Sequence, residues 1–378
     1  MTSKSEIQNQ TPFVWAMAAL PPPITGMTVL TEKVVEGLQR KQPVRVSNWS
    51  SGDDRRRLHT RALRVFRASM CYASLISHGR VRNAKLYLTS NHKSGLHFTK
   101  LFVKTGRRLG YRIYLHHHAY NYIDHFDSKM AAINASMGPH DVHLVHCPQM
   151  IEDFKRKYPV DCQFDYVFPS IVSLPLSRPR IGMPTVFRLG TLANLTVEKG
   201  LDIVLTTFRA LHTLQPNVRL TLAGPCGSAE AERLVAAAVR EHHGLVEHIG
   251  AVYGERKQQF FDSIDCFLFP SKWNAESWGI VLNEALAAGV PVIASNRGCI
   301  RTLVGGHAGL VVDDPTTYVD TAVRQIETWR ANQQDYVATS RAAIEQADYL
   351  HRQAALQLER LATHICSPGE PSKLVAGQ

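Results

Sequence analysis

Short apolar runs of strand length alternate with helically spaced apolar positions along nearly the whole chain. Phe13–Leu20 (FVWAMAAL) has strand length, the turn-rich Pro21–Gly26 follows, and Met27–Leu38 sets Val29, Leu30, Val34 and Leu38 on one helix side. Val44–Ser47, Lys85–Thr89, Tyr111–Leu115, Asp141–His146 and Tyr166–Phe168 read as further strands, with helices over 96–109 and 152–158 and a loop over Asn91–Gly95. Thr185–Leu189, Val218–Ala223, Glu247–Ile249, Cys266–Phe269, Val292–Ser295 and Leu310–Val312 continue the strands. Helices over 198–214, 229–241, 256–263, 278–288 and 316–329, and a last tract over 336–365, fill the gaps. Strand–helix alternation of this kind predicts mostly parallel, doubly wound sheets. The proline- and arginine-containing stretch Pro175–Pro184 has linker composition, so the pattern divides there into two α/β halves.

One segment breaks the amphipathic rule. The helix over 278–288 (WGIVLNEALAA) is apolar nearly all round, so it is expected to be buried, with Gly289 as its stop and Pro291 unable to continue it. Only Asn283 and Glu284 are polar there, and a buried carboxylate needs a hydrogen-bond partner. Glu276 precedes the helix in a loop, and Glu284 lies roughly 7–8 Å along the axis from Gly279, at about 1.5 Å per residue. The first-turn amides around Gly279, Ile280 and Val281 make an anion seat between the two carboxylates. From spacing alone two readings stand: a binding element, or a loop charge at Glu276 with a narrow solvent face at Glu284.

The stretch 55–82 places Leu63, Phe66, Met70 and Leu75 at helical spacing with arginines opposite. It reads as a membrane- or phosphate-facing helix, or as a helix packed on its sheet with a basic outer face. His116, His117 and His118 stand at the C-terminal end of a strand, where ligands gather in open parallel sheets. Alternation puts His116 and His118 on one face and His117 on the other. A phosphate or sugar contact and a solvated strand end are both open readings. A metal site needs a third ligand, which the local sequence does not supply, so no metal is expected.

Composition sharpens this picture at two points. Residues 1–180 hold 26 Lys+Arg against 12 Asp+Glu, and residues 181–378 hold 17 against 20, so the first half carries the positive charge of the +11 chain. Such asymmetry suits an anionic partner: nucleic acid, anionic lipid or an acidic acceptor. The seven cysteines are scattered without a CxxC pair, which excludes a zinc ribbon or redox dithiol and suits reduced cytosolic thiols. No 18-residue apolar run is present, and the polar start MTSKSEIQNQTP lacks the apolar core of a signal peptide. GxxxxGK[ST], GxGxxG, Asp-x-Asp and GxSxG are all absent, which disfavours P-loop, dinucleotide, Asp-x-Asp metal–diphosphate and nucleophile-elbow chemistry.

Glu276-Ser-Trp-Gly-Ile-Val-Leu-Asn-Glu284 followed by ALAAGVPVIAS, the segment FRLGTLANLTVEKGLDIVL at 187–205, the Pro-Pro-Pro-Ile-Thr-Gly loop, His116-x-His118 and AGLVV at 308–312 together resemble the family 4 glycosyltransferases. These are retaining enzymes of the GT-B fold, and the resemblance covers about residues 13–365. It implies two doubly wound Rossmann-like domains facing across a cleft: an N-terminal acceptor-side domain over 1–180 joined by a crossing helix over about 345–366, a nucleotide-sugar-binding domain over 181–344, and a disordered tail over 367–378. It implies catalytic roles for Glu276, which would hold the transferred sugar, and for His118 or His116. It implies donor binding by Lys199 on the diphosphate, Glu284 on the ribose, the Gly279, Ile280 and Val281 amides on the leaving group, Gly26 from the other domain, and Val252 and Tyr253 beside the base. The expected partners are a nucleotide-sugar donor and an anionic or lipid-linked acceptor glycan, with peripheral contact to an anionic membrane and no nucleic acid. No cofactor or metal is expected, and the protein is expected in the cytoplasm or on the inner face of the membrane, in surface polysaccharide or glycolipid assembly. The sequence departs from the family at Thr191, where an arginine is usual, with Arg297 or Arg301 as substitutes, and at Gly298-Cys-Ile-Arg301, where a glutamate is usual. A nucleotide-sugar 2-epimerase and a non-catalytic polyanion-binding module are the alternatives.

Overall fold

The computed structural model describes residues 13–50, 58–90 and 95–367. The expectations for the N-terminal segment and the tail beyond 367, and most of the loop at 91–95, lie outside them. The chain divides into two compact units, Met1–Val172 with Gln353–Gln378, and Ser173–Arg352.

The first unit is built on six parallel strands: β1 (Phe13–Ala18), β2 (Arg45–Asn48), β3 (Ala84–Thr89), β4 (Tyr111–His116), β5 (Val142–Val145) and β6 (Gln163–Tyr166). Their order is β2-β1-β3-β4-β5-β6. The central strands are buried on both faces, which is why they read as apolar runs rather than alternating ones. The helix after β1, α1 (Gly26–Gln39), is capped by Thr25, whose hydroxyl accepts from the Thr28 amide at 3.3 Å. It buries Leu30, Val34 and Leu38 against the sheet, together with Leu358, Leu361 and Ile365 from the last helix. That helix runs continuously over Gln333–Cys366 and contributes its end to this core.

The basic helix α2 (Leu58–His78) buries only part of the side its spacing suggests. Ala68 and Leu75 face the core, whereas Phe66 and Met70 are 62% and 57% exposed. Two helices in the stretch the pattern leaves undivided, α4 (Asn121–Asp124) and α5 (Ser128–Asn134), follow α3 (Leu96–Arg108) and β4. Asp127 starts α5 by accepting from the Lys129 amide at 2.8 Å.

The second unit repeats the plan with β7 (Phe187–Leu192), β8 (Val218–Ala223), β9 (Val246–Gly250), β10 (Cys266–Phe269), β11 (Val292–Ser295) and β12 (Gly309–Val312). The order is β12-β11-β10-β7-β8-β9, all parallel. Strand order therefore reverses between β7 and β10, and the carboxyl ends flanking such a reversal form a ligand crevice. β7 runs to Leu192, farther than the apolar run suggests, its end paired with Ala223 of β8, and at Gly190 Phe260 and Ile264 pack where a Cβ would sit, 2.5 Å from Ile264 Cδ1. The expected helix over 198–214 is broken. A 3-10 turn, Val197–Lys199, ends at Gly200 with φ +82°, and α7 (Leu201–Leu214) starts there. Gly200 is required: a Cβ there would lie 2.2 Å from the Pro270 carbonyl.

Candidate active site

The two strands that flank the reversal in the second unit end in the residues singled out above. From the loop after β7, Thr196 accepts from the Lys199 amide at 3.2 Å and fixes the turn that carries Lys199. From the loop after β10, Glu276 is 7% exposed, and its Oε2 accepts from Lys199 Nζ at 2.6 Å and from Ser271 Oγ at 3.0 Å. Lys199 Nζ also lies 3.9 Å from the Trp273 ring centroid, a cation–π contact from the same loop. The Lys272 amide donates to the Glu198 carbonyl at 2.9 Å, and Lys272 Nζ pairs with Asp202 at 2.8 Å. The two loops are thus stitched together around one carboxylate–ammonium pair. Gly298, with φ +54°, packs against the Glu276 loop so closely that a Cβ would meet the Glu276 and Ser277 carbonyls at 2.5 Å.

The buried helix, α10 (Ile280–Ala287), begins two residues later than its apolar content suggests. Gly279 adopts φ +70° and forms the break, leaving Trp278 in the preceding loop, 2% exposed. At the other end Gly289, with φ +67°, stops the helix as expected, its amide donating to the Leu286 carbonyl at 2.9 Å. Leu282 to Ala288 are buried, while Gly279, Ile280 and Val281 are partly open. The only accessible part of the helix is therefore its amino end, where amides lack intrahelical acceptors.

Glu284, 4% exposed inside α10, accepts from Lys257 Nζ at 2.7 Å. Lys257 comes from α9 (Glu255–Ser263), which follows β9. Burial pushes the Glu284 carboxyl above its ordinary value, and Lys257 opposes that shift. The second carboxylate oxygen, Oε2, is buried without a hydrogen-bond partner among the described residues. An acceptor held dry and half-satisfied is suited to a ligand hydroxyl. Val252 and Tyr253 precede α9, with Val252 buried and Tyr253 60% exposed. Thr191 is an interior β7 residue, 5% exposed, and supplies no cation; Arg301 is held by Asp313, which also accepts from Asn296 at 2.7 Å.

In the first unit, His116 closes β4 and is fully buried, with Nδ1 2.6 Å from the Tyr87 hydroxyl. His118 is half-buried, its Nε2 3.3 Å from Thr31 Oγ1 on α1. Their rings lie 4.0 Å apart by centroid, and His146, just beyond β5, lies 5.4 Å and 5.7 Å from them. His117 points the other way, as alternation requires, to His143 at 2.8 Å and Tyr122 at 3.1 Å. Burial, with the neighbouring histidines adding to it, holds the His116, His117 and His118 imidazoles well below their ordinary value. Burial alone pushes His143 and His146 down to about 3, so near neutral pH the whole group is uncharged. Gly26 is the exposed first residue of α1. Sequence reasoning missed Ser271, Trp273, Lys257 and His146. Trp273 lies three residues before Glu276 and could have been weighed there; Lys257 and His146 carry no local signal.

Two six-stranded parallel sheets with these strand orders, one of them carrying a paired carboxylate and lysine at its reversal, define a GT-B-like α/β protein. Two solved structures share the fold: Anabaena HepE in complex with UDP, with TM-score 0.67, 13% identity and coverage of 92% of this chain and 100% of that one, and sucrose-phosphate synthase from Thermosynechococcus elongatus, with TM-score 0.68, 16% identity and coverage of 93% and 99%. Residues 184–346 match the family model for glycosyl transferases group 1. Among curated relatives, it is 28% identical over 184 residues to the amylovoran biosynthesis glycosyltransferase AmsK of Erwinia amylovora, covering 46% of this chain and 45% of that protein. It is 30% identical over 197 residues to the phosphatidyl-myo-inositol mannosyltransferase of Mycobacterium leprae, covering 50% and 49%. The chain spans about half the length or less of these relatives. No helix among the described residues is long and apolar enough to cross a membrane.

Proposed function

We propose that the protein transfers a sugar from a nucleotide-sugar donor to an acceptor hydroxyl with retention of configuration. The observation that carries this reading is the convergence of Lys199, Glu276 and the open mouth of α10 at the strand reversal of the second unit. The donor diphosphate takes Lys199 and the amides of Gly279, Ile280 and Val281, which stabilise the leaving group as its charge builds. To do so it draws Lys199 away from Glu276, freeing that carboxylate for the hydroxyls of the transferred sugar. Glu284 Oε2 accepts from the ribose, and Val252 and Tyr253 flank the base. The departing phosphate oxygen takes the acceptor proton as the new glycosidic bond forms. On the acceptor side His118 contacts substrate, with His116 positioned behind it by Tyr87, and Gly26 starts the adjoining helix.

The acceptor is an anionic or lipid-linked glycan. The net positive charge of residues 1–180 and the outward Phe66 and Met70 among the arginines of α2 support contact with an anionic membrane surface. The match of residues 184–346 to the group 1 family model and the relatives named for amylovoran biosynthesis and mannosyl transfer support assembly of a surface polysaccharide or glycolipid.

A thermal-melt screen against uridine, guanosine and adenosine diphosphate sugars tests the donor site. A donor at about 100 times its Kd adds about 2.7 kcal/mol to stability. Glu276→Ala is expected to abolish transfer while the fold persists, and wild-type turnover in that variant would overturn the assignment.

A further inference from the structure

We propose that His116, His118 and His146 form a binding site for a zinc-type divalent cation in the first unit. One ring nitrogen of each lies within 4.8 Å of those of the other two. The arrangement follows from parallel neighbouring strands. β4 and β5 pair with His116 opposite Leu144, so two residues farther along His118 comes level with His146. Period-two alternation then turns His116 and His118 to the same face.

The surroundings are those of a ligand set rather than of a packed aromatic cluster. His116 Nδ1 lies 2.6 Å from the Tyr87 hydroxyl, and in the tautomer where Nδ1–H donates to that oxygen the Nε2 lone pair is left for the cluster. That Nε2 is fully buried with no hydrogen-bond partner among the described residues. The Thr31 hydroxyl, within reach of His118 Nε2, holds the second ring. Two of the three rings are thus oriented by an outer hydrogen bond, as ligating imidazoles usually are.

The donor set selects the ion. Three imidazoles suit zinc, cobalt, nickel or copper, and not magnesium or calcium, which require oxygen ligands. Zinc–nitrogen bonds of about 2.0–2.1 Å in a tetrahedron imply nitrogens about 3.3 Å apart, so the rings must close by up to about 1.5 Å. Rotation of the rings at the strand ends supplies that movement. Three neutral ligands leave a fourth position for water or an anionic oxygen, and the half-buried side of His118 is where it opens. This proposal does not depend on the sugar-transfer reading.

The test is a cobalt(II) titration of the tag-free, chelator-treated full chain. One equivalent is expected to bind with the intense visible bands of a tetrahedral site, and zinc should displace it where magnesium does not. His146→Gln and His118→Gln should each weaken binding at least about tenfold, as should Tyr87→Phe through the outer hydrogen bond. His307→Gln, on the exposed surface of the second unit, should change nothing. Only weak octahedral bands, or tetrahedral binding that survives His146→Gln and His118→Gln unchanged, would overturn the proposal. Should a variant fail to fold, the wild-type spectrum and stoichiometry still decide. Donor-induced melting shifts report separately on the second unit.

Discussion

Lys257→Met isolates the buried ion pair of the second unit. Glu284 is 4% exposed within an otherwise apolar helix, and Lys257 Nζ, 2.7 Å away, is its charge partner. Removing one partner of a buried pair typically costs about 3–5 kcal/mol. The Lys257 side chain is 24% exposed, so water can reach the gap, and the lower end, about 3 kcal/mol, is expected. That is about two orders of magnitude in the folded-to-unfolded ratio, against a typical total of about 5–15 kcal/mol. The sign with pH follows from the raised Glu284 carboxyl. A folded value above the unfolded one gives stability that is full below the unfolded value and lost as pH rises through the folded value. Without Lys257 the shift grows, so the deficit should be large at pH 7.5 and shrink towards pH 5. Lys257→Met combined with Glu284→Gln should recover most of the loss and remove its pH dependence. Urea unfolding followed by tryptophan fluorescence reads this, since three of the five tryptophans, Trp273, Trp278 and Trp329, lie in the second unit. A loss below about 0.5 kcal/mol, or one that is flat with pH and persists in the double variant, would refute the reasoning.

Two glycines should separate strain from collision. Gly279→Ala places a Cβ at φ +70°, 3.2 Å from both Leu282 Cδ1 and Phe269 Cζ and clear of any backbone atom within that distance, and should cost about 1–2 kcal/mol in thermal or urea unfolding. Gly200→Ala meets the Pro270 carbonyl at 2.2 Å and should cost more, about 3 kcal/mol, while displacing Lys199; equal melting temperatures for the two would contradict this. In the first unit Lys85, 3% exposed, donates to the Ser367 carbonyl at 2.8 Å and is pushed down to about 8 by burial, with Arg112 adding to it. The unfolded chain therefore binds a proton between pH 8 and 10.5 that the folded chain has released, and stability rises with pH across that window. Lys85→Met should flatten that limb in melts recorded from pH 8 to 10, and an unchanged slope would sink the assignment.

Local pattern alone determined a great deal here. Apolar runs in alternation with helical periodicity specified parallel sheets, because strands buried on both faces lose their polar alternation. The apolar helix bounded by glycine at 289 was legible, as was the opposite orientation of His117, since both depend only on neighbours in the chain. The extent of β7, the break at Gly200 and the start of α10 at Ile280 were not: the turn at Gly200 is packed against the Pro270 carbonyl, 70 residues on, and α10 starts only after the left-handed backbone at Gly279. The same holds for the pairs that make the site. Lys199 and Glu276 are 77 residues apart, Lys257 and Glu284 are 27 apart, and His146 joins His116 only because β4 and β5 are neighbours. Periodicity records which face of an element is buried. Which loop ends meet is decided by strand order, and that belongs to the folded sheet.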